Sequence, residues 1–221
     1  MKGDMITIMK KKSDIYNLTI ITIGFLVSII LYNKLPDLMP MHWNIDGEIN
    51  SYGPKILMAF LSPILMLVMW SSMLYFPKID PKKDNYAKFE GSYTVITNVL
   101  VTFFFVIHIV TLSISLGYNI AMDKVIPFML GILFVIIGKY LPKSKSNFFY
   151  GIKTPWTLTS EEVWEKTHRL GGKLFIIAGL IIVVSSFIFK GNIEFIILLI
   201  SILIASIIPV IASYFYAKNK Y

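Results

Sequence analysis

The chain has no cysteine, which excludes disulfides, thiol catalysis and thiolate metal sites. Arginine is nearly absent too: Arg169 stands alone against twenty lysines. Charge is sparse, with 15% charged residues against 56% hydrophobic ones and a mean hydropathy of +0.69 over 221 residues. One soluble core cannot hide that much apolar surface, so the chain is predicted to sit in lipid. Paired carboxylates and an activated nucleophile are missing, which argues against an acid–base enzyme. There is no low-complexity tract, and no inverted repeat of the kind found in transporters.

What is present is a set of long uncharged runs at 15–33, 56–77, 91–122, 125–138, 174–189 and 195–217. About 20 helical residues span the hydrocarbon core, so four of these runs suffice alone. The runs 125–138 and 174–189 are short, and reach full length only if Lys139 and Lys173 snorkel to the headgroups. The expected fold is an all-α integral membrane protein with six transmembrane helices. The first run follows a Lys-rich start but lacks a small-residue cleavage site, so it reads as an uncleaved helix.

Lysine placement predicts the sidedness. With the N-terminus in the cytoplasm, 17 of the 21 Lys and Arg residues fall inside, and only Lys34, Lys55, Lys124 and Lys190 lie outside. Both termini are then cytoplasmic, in the cell membrane of a multi-pass protein. The net charge of +8 is topological on this reading. It predicts attraction of anionic membrane lipids to the inner face, not direct nucleic-acid binding.

Residues 34–55 form the first outer loop, LPDLMPMHWNIDGEINSYGPK within it. Asp46-Gly47 between short apolar stretches predicts a turn, because Gly accepts positive φ and Asp tolerates it. A small hairpin or compact loop follows, with Met39, Met41, Trp43 and Tyr52 placed at the membrane interface. His42, Asp46 and Glu48 are close enough in sequence to converge on a metal, but their spacing lacks a tight ligand set, so a turn or partner contact is the preferred reading and no metal is assigned.

Residues 139–173 are the second polar island. The segment Asn147-Phe148-Phe149-Tyr150-Gly151 is aromatic and interfacial. Thr159-x-x-Glu162 reads as a capping box that starts a short amphipathic helix at about Ser160, ended by Gly171-Gly172 after Leu170. Glu162–Lys166 and Glu165–Arg169 are favourable i,i+4 pairs on it. Glu165-x-x-His168 has the spacing of di-iron ligands, yet the further Glu residues that such a site needs are absent. Arg169 pairs with Glu165 on the simplest reading, and its planar fork also suits a phosphate headgroup or a partner carboxylate.

His108 is the one ionisable group at membrane depth. Thr97, Val101, Phe104, His108, Thr111 and Ser115 share one packed face, so the ring is expected inside the bundle. An interhelical hydrogen bond is preferred over proton handling there. Pro63 and Pro209 are expected to kink their helices, and Pro127 suits a helix start.

Taken together, the two polar islands resemble the SdpI-type family of bacterial immunity proteins. The outer pattern is Leu35-Pro36, Pro40, His42, Asn44, Gly47 and Lys55. The inner pattern is Asn147, Gly151, Thr154, Pro155, Trp156, Thr157, Leu158, Trp164, Thr167, His168, Arg169, Gly171 and Gly172, with Lys153 where the family pattern has Arg. The resemblance implies two units: residues 1–90, with two helices and the external loop 34–55, and residues 91–221, with four helices and the cytoplasmic loop 139–173. It also implies immunity to a secreted antimicrobial peptide toxin of the sporulation-delay type, together with a receptor role that holds a cognate cytoplasmic winged-helix repressor at the membrane. No cofactor is implied. Pro40, His42, Trp43, Asn44, Asp46, Gly47 and Lys55 become the toxin-facing candidates. The competing class is a small-solute or proton-linked transporter using His108.

Overall fold

The computed structural model describes residues 2–219, with side chains from Lys11 on. The side chains of Lys2, Asp4 and Lys10, and all of Lys220, which enter the charge count above, lie outside the described residues. Six helices are long and apolar enough to cross a membrane. They are α1 (Lys2–Leu31), α2 (Lys55–Ile79), α3 (Glu90–Ser115), α4 (Met122–Tyr140), α6 (Glu161–Ile188) and α7 (Gly191–Lys218). A short α5 (Pro155–Thr159) precedes α6, and two strands, β1 (Leu38–Trp43) and β2 (Ile49–Pro54), join α1 to α2. The chain is thus a helical multi-pass membrane protein with one small hairpin. Outward-facing Ile29, Ile30, Phe187 and Ile188 are exposed, as side chains solvated by lipid must be.

The helices pack as two groups. Helix α3 lies against α1 and α2, whereas α6 lies along α4 and α7, and contact between α3 and α4 is slight. The first group is held by a buried polar staple. His108 Nε2 lies 3.0 Å from Ser28 Oγ and 3.2 Å from the Gly24 carbonyl, and Ser28 donates in turn to the Ala59 carbonyl at 2.5 Å. The ring is 1% exposed, and Thr97, Val101 and Thr111 are buried on the same face, as their spacing predicts. His108 and Ser28 together bridge three helices by hydrogen bonding.

The second group is held by glycine. A Cβ on Gly138 would meet the Gly172 carbonyl at 2.6 Å, and one on Gly131 would meet the Gly179 carbonyl at 2.7 Å. Two glycine pairs, seven residues apart on each helix, therefore let the α4 and α6 backbones touch. Lipid tails are as apolar as Leu, so close backbone packing of this kind is what drives helix association in a bilayer.

The same contact corrects the reading of Gly171-Gly172. No helix ends there: α6 runs unbroken from Glu161 to Ile188. Glycine costs a helix interior about 1 kcal/mol relative to Ala, but here any side chain at Gly172 would strike Pro142 and the Gly138 carbonyl. The 28 residues of α6 extend roughly 42 Å, so its first turns stand beyond the hydrocarbon, and the amphipathic stretch is the protruding start of the fifth span. Its cap also lies one residue later than expected. Ser160 Oγ accepts from Val163 N at 3.4 Å, while Thr159 Oγ1 donates to the Pro155 carbonyl at 2.8 Å. Pro127 lies in the second turn of α4 and not at its start.

Overpacking the seam is predicted to be costly. Gly131→Val and Gly179→Val should each destabilise the protein by about 1–3 kcal/mol. Gly91→Ala, whose Cβ meets nothing within 4 Å, should leave stability unchanged or raise it. Intrinsic-fluorescence melting in detergent reads the difference.

Candidate functional sites at the two membrane faces

The α1–α2, α3–α4 and α6–α7 connections share one face of the bundle, and the loops around residues 80–89 and 141–160 share the other. Each face carries one of the polar islands.

At the first face, the hairpin pairs Leu38 with Pro54, Met39 with Gly53, Pro40 with Tyr52, His42 with Ser51 and Trp43 with Ile49, and Met41 is bulged out of register. Asn44 organises the tip: its Oδ1 accepts from the N–H groups of Asp46 at 3.0 Å and Glu48 at 2.9 Å. Gly47 takes φ of +78°, as the Asp-Gly step predicts. Met39 departs from expectation. It is fully buried among Leu35, Met58, Ala59 and Leu112 and anchors the hairpin in the core, while Met41 and Tyr52 are exposed.

The hairpin tip reaches across to the second helix group. A Cβ on Gly47 would meet Asp123 N at 2.8 Å, and one on Gly191 would meet Asp46 Oδ1 at 2.8 Å. The tip therefore rests on the starts of α4 and α7, and borders an open cavity of about 660 Å³ lined by His42, Trp43 and Asn44. Pro40 is buried at the hairpin base, and Lys55 pairs with Asp37 at 3.4 Å, so these two residues stand apart from the cavity. His42 Nδ1 lies 2.6 Å from Asn50 Oδ1, and Glu48 accepts from Asn44 at 3.2 Å. His42 thus engages Asn50, whereas Glu48 engages Asn44, and the three side chains form no metal-ligand cluster among the described residues.

At the opposite face the signature loop folds around three buried side chains. Asn147 is fully buried. Its Nδ2 donates to the carbonyls of Lys145 (2.8 Å) and Tyr150 (2.9 Å), and its Oδ1 accepts from the N–H groups of Phe149 (3.0 Å) and Tyr150 (2.7 Å). Trp164 stacks on His168 at 3.9 Å and donates Nε1–H to the Ser144 carbonyl at 3.1 Å. His168 Nε2 accepts from Ile152 N at 2.9 Å, so the ring proton sits on Nδ1, which faces the Trp164 carbonyl at 2.8 Å. A neutral imidazole satisfies both contacts, and a charged one breaks the first. Gly151, at φ +117°, lies directly over this ring, and no side chain fits there.

The capping box of this loop belongs to α5. Thr154 Oγ1 accepts from Thr157 N at 3.1 Å, Thr157 Oγ1 accepts from Thr154 N at 2.8 Å, and Pro155 fills the first helical position. Thr154 then meets Ser213 Oγ at 3.0 Å, and Trp156 packs edge-on against Tyr214 at 5.2 Å, which docks α5 on α7. Thr167 is buried on α6.

The expected Glu165–Arg169 pair does not form. Glu165 pairs instead with Lys145 at 2.6 Å, a contact that bridges loop and helix. Arg169 is exposed and has no ion-pair partner among the described residues, and Lys153 is exposed with its ammonium on the Phe149 carbonyl at 3.2 Å. Glu162–Lys166 pairs as predicted, at 2.8 Å.

Sequence reasoning missed the clamp on this loop. Asp80, 2% exposed, accepts from Lys82 N (2.7 Å), Phe148 N (2.8 Å) and Tyr86 Oη (2.9 Å). Lys82 Nζ donates to Ser146 Oγ and the Leu158 carbonyl, both at 2.7 Å, and Asn85 donates to the Ser146 carbonyl at 2.8 Å. Burial, then the hydrogen bond to the Asp80 carboxylate, holds the Tyr86 phenol well above its ordinary value; burial does the same to Tyr150. The Asp80-Pro81 step was the available signal, since Asp before Pro favours turn initiation.

Six spans, a hairpin face and a clamped polar loop define a multi-pass membrane protein whose ordered surfaces lie at both ends of the bundle. The comparisons agree. Residues 143–213 match the SdpI/YfhL protein family and residues 19–67 match a domain of unknown function (DUF1648). The chain is 32% identical over 208 residues to the protein named Immunity protein SdpI of Bacillus subtilis (strain 168), covering 94% of this chain and 97% of that relative. The chain belongs to the SdpI/YfhL family, and its place is the cell membrane. No solved structure matches it.

The clamp generates a prediction. Asp80→Ala leaves three donors without their carboxylate and should cost about 2–3 kcal/mol. It should also loosen the loop backbone, so that trypsin cuts faster after the already accessible Lys145 and Lys153 in native micelles. Asp84→Ala, the same charge change at an exposed site, should leave the digestion pattern unchanged.

Proposed function

We propose that this protein is a membrane immunity protein that protects its producing cell from a secreted antimicrobial peptide toxin. The observation that carries this reading is the near full-length similarity to a relative named an immunity protein. A non-enzymatic role is consistent with that name. The lysine distribution supports the sidedness: the hairpin face holds few Lys, and the clamped-loop face holds Lys139, Lys143, Lys153, Arg169 and Lys173, all exposed. The hairpin cavity is then open to the exterior, where a secreted peptide arrives. Pro40 and Gly47 shape the hairpin, and His42, Trp43, Asn44 and Asp46 present it. The loop face is the docking surface for a cytoplasmic repressor and for anionic headgroups.

The fold offers a route between the faces. The two helix groups are joined at one face by the hairpin tip on α4 and α7, and at the other by Asp80, Lys82 and Asn85 on the signature loop. Between them, α3 and α4 border an apolar groove of about 500 Å³. A ligand that shifts the hairpin against α4 and α7 therefore biases the seating of one group on the other, and with it the loop.

Survival of a toxin-sensitive bacterium under graded doses of a sporulation-delay killing peptide tests the reading. Expression of the protein should raise the tolerated dose. Trp43→Ala should lower that dose about tenfold or more, as expected for a half-buried aromatic anchor, while Arg169→Ala should retain protection. Protection by Trp43→Ala equal to wild type at equal expression moves recognition off the hairpin, and no protection by the wild type sets aside the immunity reading.

A further inference from the structure

Glu194 lies in the first turn of α7, near the free N–H groups of the helix start. That position favours a carboxylate but does not account for its surroundings. The residue is 3% exposed. Its Oε2 pairs with Lys124 Nζ at 3.1 Å, and Lys124 also donates to the Phe189 carbonyl, which ties the start of α4 to the α6–α7 corner. Its Oε1 accepts no hydrogen bond. A buried carboxylate oxygen without a donor is a costly arrangement that a bound ligand can relieve.

The same side chain lines the hairpin cavity, whose 660 Å³ falls within the range of small-ligand sites. Trp43 and Ile45 line it from the hairpin, and Met122, Ile126 and Phe195 from the helices. Its charged lining consists of Asp123 and Glu194, with no Lys or Arg. Asp46 stands at its edge against Gly191. The cavity is thus an apolar cleft beneath the hairpin with two carboxylates at its lining, Asp123 and the Lys124-paired Glu194.

We propose that Glu194 is the anchoring carboxylate of a binding site for a primary ammonium carried on an apolar peptide segment. Oε1 is itself buried, so the carboxylate turns toward the cavity to accept from the ammonium, and the apolar flanks of the segment pack against Trp43 and Phe195. A lysine side chain and a free peptide N-terminus share this chemistry. The inference rests on the reading of the hairpin face as the peptide-receiving surface, and names the feature of the peptide that is held. Lys124 is a competing internal cation: it holds Oε2, while Oε1 has no donor.

Calorimetric titration of the full chain in phosphatidylcholine nanodiscs tests it with two blocked tripeptides, acetyl-Leu-Lys-Leu-amide and its norleucine counterpart. The lysine probe should bind wild type about tenfold tighter or more, the effect of one well-placed charged contact. Glu194→Gln should abolish that preference. Lys124→Met, which removes the competitor, should tighten the lysine probe, a gain that a misfolded variant does not show. Equal affinity for the two probes, a preference retained in Glu194→Gln, or no tightening in Lys124→Met overturns the proposal. A free-amine Leu-Leu-Leu-amide probe separates the two ammonium sources. Intact lysine preference in a protein that fails to protect cells sets aside the immunity reading and leaves this site standing; protection without the preference does the reverse.

Discussion

The close approach of α4 and α6 through Gly131, Gly138, Gly172 and Gly179 is the constraint on which the rest of this structure depends. Within lipid no hydrophobic force separates helices from solvent, so contact must come from dispersion between surfaces that fit. Removing the side chains along one stripe of each helix lets backbone meet backbone. Once α6 is locked on α4, both of its ends are placed. Its start must carry the clamped loop close to Tyr140, and its end must deliver Gly191 and Glu194 beside Met122 at the other face. The candidate surfaces at the two faces are consequences of one packed seam.

Polar groups do the complementary work in the other helix group. Ser28 and His108 are buried and join α1, α2 and α3 by hydrogen bonds. Buried polar groups in a membrane protein need partners, and interhelical pairing meets that need while fixing rotation and depth. The division is physically sensible. A glycine seam tolerates little sliding, whereas a hydrogen-bonded staple holds helices that otherwise contact through larger side chains such as Met66 and Val101.

The two groups meet only lightly at mid-membrane and are joined at one end by the close approach of the hairpin tip to α4 and α7 and at the other by polar contacts. Coupling between faces needs an element with two arrangements that both sites bias. Here the candidate element is the seating of one helix group on the other, with the hairpin tip and the Asp80 clamp as its handles. Glu194 and Lys124 sit under the first handle, so a ligand that competes for the carboxylate acts directly on the contact that aligns α4 with α7.

The six spans, the turn at Asp46-Gly47, the internal placement of His108 and the family resemblance were legible from residues because each rests on local pattern: hydropathy over about 20 residues, a φ-tolerant dipeptide, a helical face, a motif. What was missed rests on contacts between segments distant in sequence. Gly171-Gly172 looked like a helix end because its propensity is poor, and only the α4 backbone against it shows why the helix continues. Met39 looked interfacial until its burial beside Leu112 was seen, Glu165 finds Lys145 and not Arg169, and the clamp by Asp80 joins residues 68 apart. By itself the sequence determined that the chain crosses the membrane, where it turns and which side is richer in lysine, since transfer free energy and turn sterics act residue by residue. Only the tertiary structure decided which polar groups are satisfied and which oxygen of Glu194 lacks a donor, because hydrogen-bond partners in this bundle are supplied by other helices.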